Sequence, residues 1–147
     1  MKYVLVTGGF DPLHSGHIEY FKAAKNLGHK LIVGLNSDEW LSRKKGKPFL
    51  PFEEREAIIK ELKMVDQVIS FNDKDNTARN AIYKALTIAG SHNDVIFANG
   101  GDRENNNTPE YELYKNTYGL KFAWGVGGNN KINSSSWILD EWKTQKT

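Results

Sequence analysis

The sequence predicts an α/β fold: an open, mainly parallel five-stranded sheet flanked by helices. Three observations carry this reading. Short apolar runs recur at strand length, as in Tyr3-Val4-Leu5-Val6, Leu31-Ile32-Val33 and Val95-Ile96-Phe97-Ala98; segments of helical period separate them; and glycine turns follow the strand-like runs. A chain of 147 residues suits one domain with a substantial core and is short for two, so residues 1–147 are read as a single domain.

Taken in order, Tyr3 to Thr7 reads as a buried strand and Ser15 to Leu27 as a helix stopped near Gly28. Lys30 to Leu35 is the second strand. These three form a βαβ unit, which joins parallel strands through a right-handed crossover. Asn36 to Leu41 leads into a basic loop, Arg43-Lys44-Lys45-Gly46-Lys47-Pro48, which reads either as a solvated surface or as a clamp over phosphate groups. Pro51 to Met64 has a helix pattern with a proline and Glu53, Glu54 at its start. Arg55 in that first turn opposes the helix dipole, so it pairs with a nearby carboxylate or serves as a phosphate ligand. Asp66 to Phe71 is a third strand, Asn72 to Asn76 a polar loop, and Thr77 to Ala89 a helix with Thr77 as its cap. Val95 to Ala98 is the fourth strand and ends on the turn Asn99-Gly100-Gly101-Asp102. A short helix over Pro109 to Thr117 and a fifth strand over Leu120 to Trp124 follow, and Ser134-Ser135-Ser136 caps a terminal helix.

Charge is nearly balanced, with Lys+Arg 20 against Asp+Glu 18, so nothing calls for a nucleic-acid or membrane partner. Cysteine is absent, which excludes disulfides and thiolate chemistry. Without a secretory leader or a bilayer-length apolar run, a cytoplasmic protein is expected. His29 and His92 are isolated and read as surface residues, and no zinc-like cluster is present.

The stretch richest in chemistry is Gly8-Gly9-Phe10-Asp11-Pro12-Leu13-His14-Ser15-Gly16-His17, between the first strand and the first helix. A helix start offers unpaired N–H groups and the positive end of the dipole to an anion, and imidazoles spaced i, i+3 share a face. The turn lacks the Gly-x-Gly-x-x-Gly of a dinucleotide site and the Gly-Lys-Ser/Thr of a P-loop. In an open parallel sheet, ligands bind beyond the carboxyl ends of the strands, where strand order reverses. The turns at Gly8 and Gly100 and the serine cluster would then meet at one crevice.

His14-Ser15-Gly16-His17 after Gly9-Phe10-Asp11 resembles the His-x-Gly-His signature of the cytidylyltransferase-like nucleotidyltransferases. The resemblance runs on through Asn36-Ser37-Asp38-Glu39, Lys44, Glu53 to Arg55, Val65 to Ile69, Gly101-Asp102 and Ser134 to Ser136. It implies a Rossmann-like domain and two nearby branches, the glycerol-3-phosphate cytidylyltransferases and the heptose-1-phosphate adenylyltransferases. The reaction implied is attack by an acceptor phosphate oxygen on the α-phosphorus of CTP or ATP, expelling pyrophosphate. A phosphate monoester dianion is already nucleophilic, so positioning and charge stabilisation suffice. The other function class is a catalytically silent nucleotide-binding sensor or partner module.

By the same resemblance His14 and His17 would contact the phosphates, with Gly8, Gly9, Phe10, Asp11, Ser15 and Gly16 forming the cradle. Lys44 falls at the acceptor-phosphate lysine, while Lys45 or Lys47 would serve the triphosphate because Gly46 replaces a second lysine. Ser134, Ser135 and Ser136 would offer hydroxyls and N–H groups to the phosphates. Asp11 and Asp102 order the turns or approach the nucleoside. Asn129, expected in the nucleotide site, and Lys63, expected with Lys44 in the acceptor site, stand where the glycerol phosphate enzymes carry arginines, and lysine does not reproduce the arginine fork. Mg²⁺ is expected on the nucleotide phosphates, with no protein-caged metal. The expected partners are a nucleoside triphosphate and a phosphorylated small molecule, with no nucleic acid and no membrane. Trp137 and Trp142 suit a homodimer contact, as in many relatives, or a tryptophan core equally well.

Overall fold

The computed structural model describes residues 1–101, 108–128 and 138–141. Five strands, β1 (Lys2–Gly8), β2 (Lys30–Leu35), β3 (Gln67–Ser70), β4 (Asp94–Ala98) and β5 (Leu120–Ala123), form one sheet of order β3-β2-β1-β4-β5. Every pairing is parallel. Gly8 pairs with Leu35 and Leu35 with Ser70, so the carboxyl ends of β1, β2 and β3 lie abreast. The chain winds outward from β1 to β3 and then returns to the other side with β4, which makes the β1/β4 boundary the switch point of a doubly wound sheet.

The helices are α1 (Ser15–Lys25), α2 (Asp38–Lys45), α3 (Phe52–Ile59), α4 (Arg79–Ala89) and α5 (Pro109–Tyr114). Alternation along β1 sends Val4 and Val6 to one face, where Phe21 and Ala24 of α1 and Ile59 of α3 cover them. Leu5 goes to the other face, against Ala81, Ile82 and Ala85 of α4. The central strands are buried on both faces, which is why they read as continuous apolar runs rather than alternating ones.

Three predicted boundaries shift. Residues 38–45 form a helix, so Arg43, Lys44 and Lys45 belong to its last turn and not to a loop; cations there suit the negative end of the dipole. The helix predicted over Pro51 to Met64 closes at Ile59 and continues as tight turns, with Glu61, Leu62 and Val65 each bonded to the residue three before. Thr77 does not cap α4: its hydroxyl donates to Asp75 Oδ1, and helix geometry begins after Ala78.

Candidate active site

A cavity of about 1140 Å³ opens at the carboxyl ends of β1, β2 and β3. Its walls come from the β1 turn, α2 and the loop after it, residues 76–78 entering α4, and Glu110 of α5. Lys63 does not reach it. That residue is exposed in the turn preceding β3, at the amino edge of the sheet.

The β1 turn is built from the backbone up. Phe10 has φ 50, the left-handed region that L-residues rarely occupy, and it drives its ring into the core edge-on to Phe21 at 4.9 Å and to His17 at 5.0 Å. A Cβ on Gly9 would meet Leu41 Cδ2 at 2.7 Å, so glycine lets the turn approach α2. Asp11, only 3% exposed, accepts from Phe49 N–H at 2.6 Å and Leu50 N–H at 2.8 Å, and pairs with Lys45 Nζ at 2.9 Å. Asp11 therefore orders the turns, and Lys45 is engaged by it. Lys44 lies over the Trp40 ring at 4.8 Å, and Lys44 and Lys47 both line the cavity.

The two histidines cap α1 reciprocally. His14 Nδ1 accepts from Gly16 N–H at 3.1 Å, while His17 Nδ1 accepts from His14 N–H at 3.3 Å. The rings stack with centroids 3.7 Å apart. An accepting Nδ1 carries no proton, so each ring carries its proton on Nε2. Burial, and then the neighbouring His14, push the His17 pKa from 6.5 down to about 3. His17 is thus a neutral ring near neutral pH. Gly16 and His17 spend their own amides on His14, which leaves less of the helix start for a ligand than the sequence promised. Gly8, Gly9, Phe10, Asp11 and His17 line the cavity, with Ser15 in the same first turn of α1.

Arg55 departs from its expected role as a phosphate ligand. It is 1% exposed, and its fork donates to Leu50, Gly9 and Asn36 carbonyls at 3.0, 3.0 and 2.8 Å and to Asp38 Oδ1 at 2.7 Å. The planar guanidinium ties the ends of β1 and β2 to α2 and its loop, so the alternative reading, pairing with a carboxylate, is the one the geometry supports. Asp102, Asn129, Ser134, Ser135 and Ser136 lie outside the described residues, as do Trp137 and Trp142.

Sequence reasoning missed Trp40, the buried Glu110, which accepts from Ala78 N–H at 2.9 Å, and the buried Asp73. The one available signal for Asp73 was an acid inside a loop already marked as polar.

Residues 5–122 match the model of the family described as cytidylyltransferase-like. The chain belongs to the cytidylyltransferase-like family. Its match to the bifunctional protein HldE of Enterobacter sp. (strain 638) is 39% identical over 114 residues, 69% of this chain and 24% of that protein. HldE of Klebsiella pneumoniae matches at 38% over the same lengths. The chain therefore spans about a quarter of the length of these curated relatives. Among solved structures, the lipopolysaccharide core biosynthesis protein from Thermoplasma volcanium GSS1 is 30% identical, with TM-score 0.63 over 84% of this chain and 93% of that one. NadR in complex with NR, at 18% identity, TM-score 0.55 and coverage of 98% and 39%, shares the fold. As a cytidylyltransferase-like domain, the chain is of nucleotidyltransferase type, with the His-x-Gly-His turn at the switch-point end of its sheet. Among the described residues no helix is long and apolar enough to cross a membrane.

Proposed function

We propose that the protein transfers a nucleoside monophosphate, AMP or CMP, from ATP or CTP to a small phosphorylated acceptor with release of pyrophosphate. The observation that carries this is the donor set on one cavity: neutral His17 with its Nε2 proton, Lys44 and Lys47, at a helix start that has no acid in its first turn. Such a set recognises phosphate oxygens and does not itself remove a proton.

A phosphate oxygen of the acceptor attacks the α-phosphorus, the bond to the bridging oxygen breaks, and pyrophosphate leaves with the electron pair. No proton moves in that step. His14 and His17 donate to the oxygens on which charge accumulates, while Lys44 leaves Trp40 for the acceptor phosphate and Lys47 approaches the triphosphate. Asp11 and Lys45 hold the loop that carries Lys47. Arg55 keeps the β1 and β2 turns in register. Mg²⁺ held by the nucleotide's phosphate oxygens would supply charge neutralisation; a cation carried in this way keeps its waters and asks for few protein ligands, which suits a cavity furnished with phosphate donors. Glycines 8 and 9, Ser15, Gly16, Asp102, Asn129 and Ser134 to Ser136 complete the proposed nucleotide site.

A sugar phosphate is the favoured acceptor and ATP the favoured donor. The HldE matches and the lipopolysaccharide core biosynthesis protein support a sugar phosphate, and the asparagine at position 129, where glycerol phosphate enzymes carry an arginine, counts against a polyol. The test measures pyrophosphate release from ATP and CTP with Mg²⁺ against a panel of sugar 1-phosphates and glycerol 3-phosphate. His17→Ala is expected to lower turnover by about 10² to 10³. Nucleotide binding without pyrophosphate release from any acceptor, with His17→Ala altering affinity alone, would make the protein a silent nucleotide-binding module.

A further inference from the structure

Asp73 sits in the loop between β3 and α4 and is 4% exposed, yet its carboxylate serves another element. One oxygen accepts from Asn36 Nδ2 at 3.0 Å and from Ser37 N–H at 2.8 Å; the other accepts from Ser37 Oγ–H at 2.8 Å. Ser37 Oγ in turn accepts from Trp40 N–H at 3.1 Å, which makes it the N-cap of α2. At the far end of α2, Arg43 Nη2 donates to the Asp73 carbonyl at 2.8 Å and to Asn76 Oδ1 at 3.0 Å. The loop after β3 thus grips α2 at both ends.

That grip adds to two other polar ties on α2, the Arg55 bond to Asp38 at its first residue and the Lys45 pair with Asp11 at its last. Helix α2 is eight residues long, well below the length at which a helix is stable alone, and Leu41 is its one fully buried side chain. Packing of a single apolar residue leaves the roll of a helix about its axis poorly set. Lys44 follows Arg43 directly, so the roll of α2 decides where the lysine stem leaves the backbone.

We infer that Asp73 is a positioning residue of the phosphate site: it touches no substrate and acts by holding α2 so that Lys44 faces the cavity. This rests on the reading of Lys44 as a phosphate contact. The same loop carries Asn76, which lines the cavity beside Lys44, so the wall and the lysine are held as one unit.

A mutant cycle tests this with a readout that a merely structural role would not move. The affinity of the full chain for inorganic phosphate, standing in for the acceptor phosphate, is measured by calorimetry for the wild type, Asp73→Asn, Lys44→Ala and the double variant. Asp73→Asn is expected to weaken binding by about 5-fold when Lys44 is present and by less than about 1.5-fold when it is not, the non-additivity of residues that act through one another. Equal losses in both backgrounds overturn the inference, and so does an unchanged affinity in Lys44→Ala. Should Asp73→Asn fail to fold, Ser37→Ala removes the hydroxyl bond and leaves Asp73 in place; the same cycle is then run with a smaller factor expected, and Ser37→Thr is expected to restore it. Failure of the transferase reading registers separately, as absence of pyrophosphate release by the wild type.

Discussion

Two strand-to-helix turns stand side by side on the sheet, and they are capped in opposite ways. The turn into α2 uses a serine, a preferred N-cap, backed by the Asp73 carboxylate and followed by Asp38 and Glu39 in the first turn. The turn into α1 uses two histidines that cap each other, and no acid occupies its first turn. Both helix starts are satisfied by their own side chains, but that of α1 is satisfied by imidazole rings and carries no acid against the positive end of its dipole. Helix α2 brings Lys44 to the cavity through its other end.

The change expected to weigh most strikes both turns at once. Arg55→Met strips hydrogen bonds from the Gly9 and Asn36 carbonyls together and leaves Asp38 without its partner, so a loss of about 3 kcal/mol is expected in urea unfolding. A loss under about 1 kcal/mol would mean that the turns are supported independently.

Acid should then tell the turns apart. The folded His17 pKa of about 3 lies below the usual 6.5, so between those values the unfolded chain binds the extra proton and stability rises with pH. Stability from this residue is intact above pH 6.5 and declines as pH falls toward 3, by about 2 kcal/mol at pH 5. His17→Asn keeps an acceptor near the position of Nδ1 and should flatten the difference in unfolding free energy between pH 7 and pH 5. An unchanged slope would place the acid sensitivity elsewhere.

The smallest effect belongs to the second turn. Ser37→Ala is expected to cost about 1 kcal/mol in thermal or urea unfolding, the usual worth of an N-cap. It should leave the acid response of His17 as it was.

The fold was legible because β1, β2 and β4 are buried on both faces and their apolar runs admit few other readings. Helix α2 was not, since a segment with one buried residue, Leu41, has no apolar stripe to reveal its period. The histidine turn was legible as a local motif whose parts are neighbours in sequence. The choice between the two readings of Arg55 was not legible for the opposite reason: a cation in a helix first turn looks available until the three carbonyls that surround it are known. Asp73 is the extreme case, because its meaning lies wholly in bonds to residues 36 and 37.

The central place of β1 also sets a schedule. Its partner on one side, β2, follows within a single βαβ unit, but its partner on the other, β4, pairs Lys2 with Asp94 and Leu5 with Phe97. On a chain made at about 5–20 residues per second, the second edge of β1 waits several seconds for β4 to emerge. During that interval Val4 and Leu5 present an open hydrogen-bonding edge to any other nascent strand, and the switch point does not yet exist. Glu110, which closes one wall of the cavity, is synthesised later still. The histidine turn is therefore made well before the strand and the wall that complete the crevice beside it.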